Sequence, residues 1–131
     1  MTKTTSKPVY IADLHFEHSL WVRQLDFYKD EVGIFENRLE QLVQRWDKHE
    51  VLAQLERFQN QFIREKEVID ILRHDINAHE SSLAAYAKAH PIAIEQVHFA
   101  DHEGLRERMS RFRQIFEDLK NDFMIFIAKY L

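Results

Sequence analysis

One heptad seam in the middle of this chain constrains its fold more than any other feature. From Leu55 onward, large apolar residues fall at Leu55, Phe58, Phe62, Ile69, Leu72, Ile76, Leu83 and Tyr86, alternately three and four apart. Glu65 and His79 fill the two remaining places. This spacing puts all ten on one narrow helical face, and the stretch from Val51 to Ala89 spans roughly 58 Å at 1.5 Å per residue. A helix with a single apolar stripe is not stable alone in water, so the rest of the chain must cover it.

The remaining sequence supplies two partners of similar length. Residues 1 to 11 read as a polar N-terminal tail, and residues 12–131 as one domain. Asp13 is the expected N-cap of a first helix whose seam runs Leu14, His18, Trp21, Leu25, Tyr28, Val32, Phe35, Leu39, Leu42, Trp46. The pattern keeps its phase through Gly33, which favours one helix over two. Asp47-Lys48-His49-Glu50 has the form of a capping box and marks a tight turn. Pro91 ends the second helix near His90 and opens the third. The third seam is Ile94, His98, His102 (or Asp101), Leu105, Met109, Phe112, Phe116, Leu119, Phe123, Phe126, Tyr130. A break at Gly33 or at Gly104 would make four helices. The expectation is an all-α, antiparallel, long-helix bundle of three helices, packed like a coiled coil at about 20°.

Composition narrows the functions. Only two Gly and two Pro interrupt the chain, and 45% hydrophobic with 31% charged residues suits an amphipathic bundle and not disorder. There is no Cys, which excludes thiolate and disulfide chemistry and accords with a reducing, cytoplasmic setting. No apolar run approaches the length of a membrane span, and the start of the chain has no signal-peptide core. A formal charge of −4 offers no general attraction to nucleic acid. Ten Phe, four Tyr and two Trp exceed what one narrow seam can hide. Phe16, Phe27, Phe99, Phe112 and Trp46 are candidates for a second apolar face, and a homodimer of rods packed side by side is expected to cover it.

The histidines are the unusual feature. A first turn between residues 48 and 49, and a second between 90 and 91, would set His79 level with both His18 and His102. All three stand at seam places that otherwise carry large apolar groups. Apart from His49, every histidine (15, 18, 74, 79, 90, 98, 102) falls at this end of the rod. Three inward imidazoles at one level suit Zn²⁺, Fe or Cu, with Zn or Fe the expected cofactor. His98 lies four residues before His102 and can share its face; His15, three before His18, can do likewise. Glu17, Asp75, Glu80, Asp101 and Glu103 are nearby carboxylates for a further ligand or for orienting the rings. The competing account makes these residues hydrogen-bonded core groups that fix helix register, or a cluster that responds to pH.

Known metal-binding bundles do not match. Ferritin-like di-iron sites need Glu-x-x-His on two helices. This chain has only Glu95-x-x-His98, and no His is followed four residues later by an acid. Glu65 on the second seam reads as a carboxylate that specifies alignment, turned outward or paired with an Arg such as Arg113, in preference to a general acid. Arg106, Arg108, Arg111 and Arg113 interleave with Glu103, Glu107 and Glu117 and read as a salt-bridging flank. No phosphate loop, Gly-x-Ser-x-Gly or His-Glu-x-x-His motif occurs. The leading expectation is therefore a non-enzymatic structural or protein-interaction module. The rival is a small metal-binding protein using His18, His79 and His102, supported by His98 or a carboxylate.

Overall fold

A computed structural model describes residues 9–90 and 96–130. Within them the chain is all-α, with α1 at Ile11–Arg45, α2 at His49–Ala87 and α3 at Gln96–Tyr130. The tail reading of the first eight residues, the helix start at Pro91, and Ile94 and Glu95 lie outside the described residues. No described helix is long and apolar enough to cross a membrane.

The three seams become the core. Leu14, Leu25, Val32, Leu42, Leu55, Phe58, Phe62, Ile69, Ile76, Leu83, Met109, Phe116 and Phe123 are all almost completely buried. Tyr28, Trp46, Tyr86 and Tyr130 are half-buried, so their rings reach inward while the polar end stays near solvent. Phe62 of α2 meets Phe35 of α1, and Phe58 of α2 meets Phe126 of α3. Phe35, Phe58 and Phe62 all touch Phe123, with ring centroids 5.0–5.4 Å apart. Burying each such ring contributes about 1.5–3 kcal/mol. Phe112 belongs to this core, 3% exposed, and not to a second face, because the seam spacing carries it inward beside Tyr28 and Phe116.

Both glycines lie inside unbroken helix. A Cβ at Gly33 or Gly104 would meet nothing within 4 Å, so neither marks a close approach. The helix ends differ from expectation. The N-cap of α1 is Tyr10, without a side-chain cap, and Asp13 sits in the first turn, where its charge opposes the helix dipole's positive end. Residues 46–48 form a short non-helical connection, and Lys48, not Asp47, is the N-cap of α2, again without a side-chain bond. Asp47 stands one residue too early to reach the free amides. The first turn is held instead by Trp46, whose backbone N–H bonds Leu42 and whose indole Nε1–H donates to the Tyr130 carbonyl at 3.2 Å. At the far end α2 stops at Ala87, with the Ala89 and His90 amides bonded to the Tyr86 carbonyl.

Candidate metal centre

Three seam positions, one from each helix, converge on imidazoles. His18, His79 and His102 are 2%, 8% and 0% exposed. Their ring centroids lie 4.9 Å (His18–His102), 5.1 Å (His18–His79) and 5.9 Å (His79–His102) apart. Each offers one ring nitrogen, and those atoms all lie within 4.8 Å of one another. Trp21, one turn along α1, stacks on His102 at 4.9 Å and closes the inner side. At seam position 101/102 the histidine is buried and the aspartate exposed.

The nitrogens that face away are held by carboxylates. His18 Nδ1 meets Glu80 Oε1 at 2.8 Å, and His102 Nε2 meets Glu17 Oε1 at 2.5 Å. Glu17 and Glu80 each stand one residue from a seam histidine, on the flank where neighbouring helices meet. Burial alone would raise the Glu17 carboxyl, but hydrogen bonds from Arg106 and His102 outweigh it and hold the group below its ordinary range. Glu80 behaves alike: burial acts upward, and the bonds with His18 and His15 prevail and lower it. Both are therefore carboxylates at neutral pH, ready to accept an imidazole N–H.

On the inner side, His18 Nε2 and His102 Nδ1 lie 3.0 Å apart and share a hydrogen bond whose donor is set by the protonation of the two rings. The buried Nε2 of His79 has no hydrogen-bond partner among the described residues. Burial lowers the basicity of His79, and the neighbouring His18 and His102 lower it further. Burial also lowers His102, against the pull of Glu17. Three imidazoles with their nitrogens gathered in this way could hold a metal ion, and the carboxylates behind two of them orient the rings. A tetrahedral ion about 2.0–2.1 Å from each nitrogen would set them about 3.3 Å apart. The His18–His102 pair is already close to that spacing.

The other predicted residues go elsewhere. His98 packs against the Tyr86 ring, with centroids 4.8 Å apart, and is outside the converging group. His15 is exposed and bonds Glu80 Oε2 at 2.6 Å, so it braces the carboxylate instead of sharing an ion with His18. Asp75 pairs with Arg108 at 2.8 Å, and Glu103 with Arg106. Arg106 also bonds Glu17 at 2.9–3.0 Å, and Arg113 meets Gln24 at 3.2 Å instead of Glu65. Glu65 is buried beside Leu72 and Phe112 in the α2–α3 groove, and burial pushes its carboxyl up against the weaker influence of Arg64. The bonding roles of Glu17 and Glu80 were not assignable from sequence, where they were two among five nearby acids.

Comparison with protein-family models, with curated proteins and with solved structures yields no match. Function must be argued from this site.

Proposed function

We propose that the chain is a single-domain, antiparallel, coiled-coil-like three-helix bundle that binds one transition-metal ion, Zn²⁺ or Fe²⁺, through His18, His79 and His102. The observation that carries this reading is the convergence of three buried imidazole nitrogens in a cluster whose outward nitrogens on His18 and His102 are already bonded to Glu80 and Glu17. Histidines serving only to fix register would be expected to turn each polar nitrogen to a partner; His79 Nε2 has none. Absence of cysteine fits a reducing, cytoplasmic setting, and imidazole suits Zn and Fe. The test is elemental mass spectrometry on untagged protein, paired with thermal unfolding with and without chelator. Metal near one per chain, whose removal lowers the melting temperature, is expected. Protein that stays metal-free and unmoved by added zinc or iron would overturn the reading.

A second reading, self-association, is favoured by a different surface. Phe16, Leu20, Phe27 and Ile34 are all exposed on α1, on the side facing away from Leu25 and Val32. Along the same stripe lie Arg23 and Asp30, exposed and without a partner among the described residues. An antiparallel second copy centred on Phe27 would set Leu20 against Ile34 and Arg23 beside Asp30, twice over, which is the reciprocity a two-fold interface requires. Sedimentation velocity should show a dimer that Phe27→Glu dissociates. A wild-type monomer at high concentration would refute this second reading and leave the first untouched.

A further inference from the structure

A three-histidine site needs one more donor to complete a tetrahedron. Within the described residues no fourth histidine or carboxylate joins the trio. Glu17 and Glu80 are engaged on the ring nitrogens that point away. Beside the trio, however, a cleft of about 390 Å³ runs between α2 and α3. Its walls include Asp75, His79, Asp101, Gly104 and Arg108, so His79, but neither His18 nor His102, belongs both to the trio and to the cleft. The Asp75–Arg108 pair ties α2 to α3 across it, and Gly104 leaves its floor without a side chain. The space far exceeds the roughly 30 Å³ share of one water.

We infer that a metal held by His18, His79 and His102 takes its fourth ligand from solvent through this cleft: water at rest, exchangeable for another small oxygen or nitrogen donor. The inference rests on the metal-binding reading above and adds that the site is open, of the kind that hosts chemistry, and not a closed structural one. Asp101, on the cleft wall, is a carboxylate placed to accept a hydrogen bond from such a water. Arg108 supplies the cation at the mouth.

Cobalt(II) tests this directly, because its visible bands report its ligands. Metal-free protein is loaded with Co²⁺ and titrated with azide. One cobalt per chain, with bands that shift saturably on azide addition, is expected. Gly104→Phe, whose ring would occupy the cleft, should retain cobalt stoichiometry and weaken azide binding roughly tenfold or more, about 1.4 kcal/mol. Gly104→Ala should bind azide normally. Cobalt bands indifferent to azide would mean a protein group completes the sphere, overturning the inference while the metal reading stands. Equal azide affinity in Gly104→Phe would overturn the route. Failure to bind cobalt at all would overturn the metal reading and the inference with it.

Discussion

His79→Leu separates a metal ligand from a misplaced core residue, because the two accounts predict opposite orders of stability under two conditions. In metal-free protein the buried Nε2 of His79 has no partner. An unsatisfied buried polar group costs about 1–3 kcal/mol. Leucine would remove that penalty and restore the apolar seam between Ile76 and Leu83, so with chelator present the variant should be more stable by about 1–2 kcal/mol. For a 131-residue domain that corresponds to about 4–8 °C in Tm. With zinc at a hundredfold excess over its dissociation constant, the wild type gains about 2.7 kcal/mol by linkage, and a thousandfold excess gives about 4.1 kcal/mol. The variant, left with two imidazoles, gains far less. The melting curves should therefore cross: variant above wild type in chelator, wild type above variant in zinc. Differential scanning calorimetry on both proteins in both buffers measures this. A variant that melts higher in zinc as well would show that the layer holds no metal.

Three further outcomes follow from the same structure. Glu80→Ala frees the Nδ1 side of His18 and should weaken zinc binding by about 10–100-fold while leaving one ion per chain, measured by competition with a chromophoric chelator; unchanged affinity would refute the orienting role. Gly33→Ala adds a Cβ that meets nothing within 4 Å in mid-helix, so chemical denaturation should show a gain of about 1 kcal/mol. Glu65 carries a carboxyl raised by burial, so folding favours its protonated form. Its contribution is most favourable below the unfolded pKa of about 4.3 and worsens as pH rises through the folded value. Glu65→Leu should therefore stabilise by about 1–3 kcal/mol at pH 7, with the gain shrinking toward pH 4; a gain independent of pH would assign the effect to packing alone.

The seams were readable because periodicity is a property of the helix itself. Every described seam residue, from Leu14 to Tyr130, is buried or half-buried. The histidine layer was readable because two rough turn positions suffice to align three long helices, and the alignment tolerates a turn that lies at residues 46–48 instead of 48–49. Helix ends were less legible. Asp13 and Asp47 have the chemistry of caps, but Tyr10 and Lys48 occupy those places with no side-chain bond, since packing of Trp46 on Tyr130 decides where the turn falls. Roles beside the seam were least legible. Sequence places Glu17 and Glu80 near the imidazoles, but which carboxylate turns to which ring depends on side-chain rotations that no spacing encodes. Arg113 shows the same limit: its reach to Gln24 instead of Glu65 depends on which flank of α3 faces α1.

The layer has an energetic cost that the proposed ion would offset. Three seam positions that elsewhere hold Leu, Ile or Phe hold imidazole, each giving up part of the 1.5–3 kcal/mol that an apolar side chain would contribute. Polar groups scattered along the core could fix register one at a time, as a single buried asparagine does in a coiled coil. Here they share one level, with no apolar residue between them, and the core below is dense enough to bear the loss: the Phe35, Phe58, Phe62 and Phe123 rings all interlock in the other half of the molecule. Register would need only one of these histidines. A single cation placed between the three rings would engage the unpartnered Nε2 of His79 together with a nitrogen of His18 and of His102. A proton can bridge two of those nitrogens; a metal ion can hold three.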